Sequence, residues 1–171
     1  MKENFYIFLD IDGVMYDWEY MKKNNIRSFG RVKTFSPDSV EALNYLMQTL
    51  NNNYNTELVI SSTWRRDMPD TVRTLRQNGV EMNLRKVFST PIFADSEKRG
   101  EEILSYLNGK NNASNYVIID DEMFDYEKHF NNSRIIKTNI FSGGLDKEMV
   151  STFLKNNNIP LYPQNNEERS L

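Results

Sequence analysis

The chain has 171 residues, carries 21 lysines and arginines against 24 aspartates and glutamates, and contains no cysteine and a single histidine, His129. Disulfides and thiolate metal centres are therefore excluded, as is a multi-histidine metal site. The net charge of −3 gives no overall electrostatic grip on nucleic acid, so any such contact has to be local. This size suits one domain with one core, and 39% hydrophobic with 26% charged residues argues against wholesale disorder. No run approaches a membrane span, and no basic-then-apolar leader precedes the first apolar run, so the expectation is an intracellular, cytoplasmic protein.

The first element is Phe5-Tyr6-Ile7-Phe8-Leu9, short, apolar and uninterrupted by charge, which reads as a strand buried on both faces. It runs directly into Asp10-Ile11-Asp12-Gly13-Val14. Met15 to Phe35 is aromatic and basic without a clean period, and is expected as a loop or small flap at about 15–35. Ser36-Pro37-Asp38 opens a helix, with serine at the cap and proline at the first position, and Val40, Leu43, Leu46, Met47 and Leu50 follow at helical spacing. Glu57 to Ser61 is a second strand, and Asp67 or Met68 to Asn78 a second helix stopped by Asn78-Gly79. Lys86-Val87-Phe88 is a weak strand, and Ser96 to Leu107 a third helix. Tyr116-Val117-Ile118-Ile119 is a buried strand running into Asp120-Asp121. Arg134 to Thr138 is the last strand, Gly143-Gly144 a turn, and Asp146 to Asn156 the last helix. Asparagine clusters at 51–53, 111–112 and 156–158 fall at helix ends or loops. The reading gives one domain over 1–159 and a polar tail over 160–171.

Strands alternating with helices imply a parallel sheet with helices on both faces, and ligands of such sheets gather beyond the carboxyl ends of the strands. Asp10, Asp12, Ser61, Asp120 and Asp121 all fall at such ends. Asp10 and Asp12 are two residues apart in an extended chain and point the same way. Two acids aimed at one crevice repel unless a cation or a shared proton lies between them. Taken alone, Asp-x-Asp-Gly also fits a strand cap that merely opens a solvated turn.

Four motifs in order resemble the haloacid dehalogenase (HAD) superfamily of phosphohydrolases: Asp10-Ile11-Asp12-Gly13-Val14, then Ser61, then Lys98 or Arg99, then Asp120-Asp121. Ser61-Ser62-Thr63-Trp64-Arg65, Arg99-Gly100-Glu101-Glu102-Ile103, Ile119-Asp120-Asp121-Glu122 and Gly143-Gly144-Leu145 further resemble the branch associated with RNA-repair proteins. The resemblance implies a three-layer, Rossmann-like α/β fold, here without a full cap domain, since the gaps between motifs are short.

It also implies the site. Asp10 would be the nucleophile that forms an aspartyl-phosphate, and a Mg2+ ligand. Asp12 would do general acid–base work and give its backbone carbonyl to the metal. Asp121 looks like the remaining carboxylate ligand and Asp120 its neighbour in support, with the reverse order open. Ser61 would donate its hydroxyl to a phosphoryl oxygen, and the backbone N–H of Ser62 could add a second bond. The alternative for Ser61-Ser62-Thr63 is a helix cap. Lys98 is favoured as the phosphate-binding cation because lysine is the commoner family choice, with Arg99 the alternative. Arg65 is expected to contact substrate, against a bland reading in which Trp64 packs inward at an exposed helix start. His129 is expected on a helix surface or in the core.

The resulting reading is a Mg2+-dependent phosphomonoesterase. A nucleotide or nucleic-acid end is favoured over a phosphoprotein or small molecule. The rival of another class is a non-catalytic binding module.

Overall fold

Five apolar residues in a row leave a strand no solvent-facing side, so such a strand belongs in the middle of a sheet. In the computed structural model, which describes residues 2–27, 32–81, 83–95, 97–110 and 113–161, that is its place. The strands are β1 (Asn4–Leu9), β2 (Asn55–Ile60), β3 (Val87–Ser89), β4 (Tyr116–Asp120) and β5 (Ile135–Lys137). They form one parallel sheet in the order β3-β2-β1-β4-β5. The helices are α1 (Trp18–Lys23), α2 (Pro37–Asn53), α3 (Met68–Gln77), α4 (Arg99–Asn108) and α5 (Lys147–Asn156). This is the Rossmann-like α/β fold expected from the sequence.

Side-chain parity along β1 assigns the two faces. Phe5, Ile7 and Leu9 join the larger core with Leu43, Leu46 and Leu50 of α2 and Val150, Phe153 and Leu154 of α5. Tyr6 and Phe8 face the other way, with Ile103 and Leu107 of α4 and the rings of Tyr126 and Phe130. Asp10 is the next residue of that second parity, which directs it to the face α4 covers.

Register brings the chemistry together. Leu9 lies opposite Ile60 on one side and Ile119 on the other. The next residue of each strand is therefore Asp10, Ser61 or Asp120, and these three stand side by side at the carboxyl rim. Backbone hydrogen bonds hold that rim, from Ser61 N–H to Leu9 O at 3.0 Å and from Asp10 N–H to Ile119 O at 2.9 Å.

Several boundaries differ from the sequence reading. The 15–35 segment contains α1, which lacks a long apolar stripe but is capped by Asp17 accepting from Tyr20 N–H. Ser36 occupies the cap position of α2 without a capping side-chain bond. The third expected helix begins at Arg99 rather than Ser96, and Ser96 itself lies outside the described residues. Asn111, Asn112 and the expected tail from 162 onward also lie outside them.

The loop after β5 is fastened to the loop after β1. Thr138 Oγ1 donates to Gly13 O at 2.8 Å, Trp18 N–H to Ile140 O at 2.8 Å, Gly144 N–H to Asp17 Oδ2 at 3.1 Å and Leu145 N–H to Val14 O at 2.8 Å. A Cβ on Gly144 would stand 2.6 Å from Val14 O, so this approach requires glycine.

Candidate active site

Asp10, Asp120 and Asp121 each bring a carboxylate oxygen to within 4.8 Å of the others. A guanidinium meets two of them. Arg99 Nη1 donates to Asp10 Oδ1 at 2.7 Å and to Asp120 Oδ2 at 3.1 Å, with all three side chains nearly sealed from solvent. The Arg99 plane also lies over the Phe124 ring, 4.3 Å from its centroid. Arg99 reaches the acids because it is the first residue of α4. Asp125 fixes that helix end from outside it, accepting from Gly100 N–H at 2.5 Å and Glu101 N–H at 3.2 Å.

The two members of the acidic pair have different surroundings. Asp120 is buried and fully engaged: Tyr126 Oη donates to Oδ2 at 2.6 Å beside Arg99, and Glu122 N–H donates to Oδ1 at 3.0 Å. Asp121 is half-buried and lies against Gly13, where an added Cβ would be 2.5 Å from the Asp121 Cγ. Gly13 also has φ +73°, so the turn after Asp12 requires glycine on both counts.

The electrostatics are those of crowded acids short of positive charge. Burial, and then Asp120, push the Asp10 carboxyl well above its ordinary range, with Arg99 opposing. Burial also raises Asp120 despite Arg99 and Tyr126. Asp121 is pushed up to about 6 by burial and by Asp120. For Arg99, burial works against its charge, but Asp10 and Asp120 outweigh it and raise its pKa. The guanidinium offsets one of three negative charges; a divalent cation would offset the other two.

Ser61 Oγ is fully buried beside Asp10 and finds no hydrogen-bond partner among the described residues. A buried hydroxyl without a partner costs about 1–3 kcal/mol, so it is a donor awaiting an acceptor. Ser62 is also buried, and its Oγ instead caps the short 3-10 turn Thr63–Asp67 by accepting from Trp64 N–H at 3.4 Å.

Two expected site residues, Lys98 and Arg65, are placed differently. The cation among the acids is Arg99, not Lys98. Lys98 precedes the helix, is exposed, and pairs with Glu101 at 3.3 Å. Arg65, expected to contact substrate, is engaged inside the protein instead. Its guanidinium turns back to the carbonyls of Ser61 and Ser62 and pairs with the buried Glu102 at 2.5 Å. It thereby ties the Ser61 loop to α4, which carries Arg99. The Asp12 carboxylate is not one of the three that converge. It is half-buried and accepts from Tyr16 Oη and Trp64 Nε1. His129 is half-buried, with Nε2 3.4 Å from Asp125.

The residues that reading the sequence missed are Tyr16 and Tyr126, which bond Asp12 and Asp120, and Glu102, which holds Arg65. Glu102 had a local signal: it stands three residues after Arg99 on one helix, on the same face. The two tyrosines had none.

The chain contains no helix, among the described residues, long and apolar enough to cross a membrane. Neither a curated protein nor a solved structure matches the chain significantly. The family model for the HAD domain in Swiss Army Knife RNA repair proteins matches residues 6–150, a span that includes every motif residue placed above. By that match, and with the parallel sheet whose carboxyl rim gathers those motifs, the chain belongs to the HAD domain family of Swiss Army Knife RNA repair proteins.

Proposed function

We propose that the protein is a Mg2+-dependent phosphomonoester hydrolase that works through an aspartyl-phosphate on Asp10 and acts on a nucleotide or nucleic-acid end. The observation that carries this reading is the meeting of Asp10, Asp120 and Asp121, with Arg99 on the first two, beside a buried Ser61 hydroxyl that lacks an acceptor among the described residues. The family's phosphohydrolase chemistry supports it.

The donor set fits Mg2+, a hard cation that takes carboxylate oxygens together with phosphate and water. Asp10 and Asp121 would hold it, with Asp120 outside them because its own oxygens are already bonded. When bound, the ion supplies the positive charge that the three acids lack.

The chain's own residues do the rest. Asp10 attacks phosphorus, and an Asp10–phosphorus bond forms as the bond to the leaving oxygen breaks. Asp12 gives its proton to that oxygen. Arg99 and Ser61 donate to the phosphoryl oxygens, neutralising charge as it develops. Asp12, now ionised, takes a proton from a water whose oxygen attacks phosphorus. The Asp10–phosphorus bond breaks, and phosphate leaves with Asp10 restored.

Two features of the rim favour a nucleic-acid end. Trp18, the first residue of α1, is 54% exposed and Phe141, in the loop after β5, is 70% exposed, and the Trp18 N–H to Ile140 O bond joins the two segments. Exposed aromatic faces of this kind stack bases. The exposed Lys137, whose Nζ donates to Asp121 O at 3.0 Å, and the exposed Arg66, in the turn that follows Ser61 and Ser62, add positive charge on this side of the sheet. The family's description as part of RNA repair proteins agrees. The test is hydrolysis of a 5′- or 3′-phosphorylated oligonucleotide with Mg2+. Trp18→Ala with Phe141→Ala should raise KM for the oligonucleotide about 10-fold, in line with about 1–3 kcal/mol per stacked base, and leave p-nitrophenyl phosphate unchanged. An equal effect on both substrates would remove the nucleic-acid assignment.

A further inference from the structure

Asp12 is the one motif acid whose carboxylate stands apart from the converging three, and it is held by two aromatic donors. Tyr16 Oη donates to Asp12 Oδ1. Trp64 Nε1 spans the carboxylate, 3.1 Å from Oδ2 and 3.3 Å from Oδ1. The donors come from different parts of the chain, Tyr16 four residues after Asp12 and Trp64 from the loop after β2.

Both donors are themselves fixed. Tyr16 is buried and stacks on Phe35, with centroids 6.3 Å apart and planes at 18°. Phe35 in turn packs on Trp64, with centroids 5.9 Å apart. Trp64 is 2% exposed, and Thr71 Oγ1 donates to its carbonyl at 2.8 Å. A backbone bridge joins Asp12 to Tyr16. Asp12 itself remains half-buried.

An indole N–H can only donate, so Trp64 fixes the plane of the carboxyl and cannot compete for its proton. Among the described residues, Oδ1 accepts from both Tyr16 and Trp64, and Oδ2 from Trp64 alone. The less engaged oxygen, Oδ2, is then the one left to carry a proton to a substrate.

We propose that Tyr16 and Trp64 form a two-donor clamp that positions the Asp12 carboxyl for proton transfer to the leaving group. They are positioning residues: they act through Asp12 and touch no reacting atom. The inference rests on the reading of Asp12 as the acid–base group.

The consequence depends on the leaving group. An alkoxide must be protonated as it departs, whereas p-nitrophenolate departs with little help, so an ill-placed acid harms only the first. The experiment compares kcat/KM, which reports the transfer to Asp10, for an alkyl phosphate and for p-nitrophenyl phosphate, in wild type, Tyr16→Phe and Trp64→Phe. The clamp predicts a loss of about 10- to 100-fold for the alkyl phosphate and under about 3-fold for the aryl one. Equal losses on both, as from a purely structural defect, or no loss on either, would overturn it.

A second measurement does not need activity. The chain has two tryptophans, so its indole N–H spectrum has two signals. Asp12→Ala should shift the Trp64 signal and leave that of Trp18 in place; an unmoved Trp64 signal overturns the clamp. Wild type inactive on every phosphate with Mg2+, but with the Trp64 shift present, would sink the proposed reaction and leave the contact standing.

Discussion

Arg99 and Lys98 are neighbours in sequence, and one helical position separates a cation among three acids from one in solvent. Sequence placed both within reach and favoured Lys98, whereas Arg99 is the one that meets the acids, because the helix start is held by Asp125, a residue 25 positions downstream of Gly100. Asp10, Asp12, Asp120 and Asp121 were legible because apolar runs end at them and strand ends are where such residues do chemistry. The Tyr16 and Trp64 contacts with Asp12 were not, since aromatic residues next to a strand are most simply core. Arg99→Ala should lower kcat/KM for p-nitrophenyl phosphate about 100-fold, the scale of losing one preorganised donor to developing charge. Lys98→Ala should stay within about 2-fold of wild type, since its side chain is exposed and pairs, among the described residues, with the half-exposed Glu101. Steady-state rates with saturating Mg2+ check both, and the reverse order would restore Lys98.

The helix α4 is the element on which the site depends, because it carries Arg99 toward Asp10 and Glu102 toward Arg65 on one face. Glu102 also accepts from Phe93 N–H at 2.7 Å, so one buried carboxylate joins α4, the loop after β2 and the approach to the helix. A helix over Ser96 to Leu107 was legible in the sequence to within one residue of its observed end at Asn108, since helical periodicity is local. Its start and its polar face depend on partners distant in sequence, which no local pattern records. Arg65→Ala would leave Glu102 buried without its cation, and removal of one partner of such a pair costs about 3–5 kcal/mol. Urea unfolding should show that loss, and the double substitution with Glu102→Ala should cost less than the sum of the two singles. Additive singles of under about 1 kcal/mol would mean that the pair does not tie the loop to the helix.

For the molecule as a whole, stability is coupled to the charge of the site. Asp10, Asp120 and Asp121 all sit above the ordinary carboxyl range when folded. The folded state thus keeps protons that the unfolded chain, with acids near about 4, has already released. Stability of the metal-free protein from these groups therefore rises as pH falls from 7 through the Asp121 value of about 6, and the gain is complete only near the unfolded pKa. Mg2+ favours the ionised acids and should flatten or reverse this trend, adding about 2.7 kcal/mol at 100 times its Kd. Thermal unfolding at pH 5, 6 and 7, with chelator and with Mg2+, reads both effects. Chelated protein that loses stability between pH 7 and 6, with no response to Mg2+, would contradict the account. The parallel sense of the sheet was legible at this scale from the alternation of strands and helices, while its strand order was not assigned from the sequence. The fastening of the β5 loop to the β1 loop was not, because it joins residues more than a hundred positions apart.

The most direct test is a crystal structure of the protein with Mg2+ and beryllium fluoride, a mimic of the phosphoryl group on a carboxylate. Beryllium bonded to an Asp10 oxygen, with Arg99 and Ser61 on its fluorines and the ion between Asp10 and Asp121, is the predicted result. Beryllium on any other residue, or an ion bound away from Asp121, would contradict it.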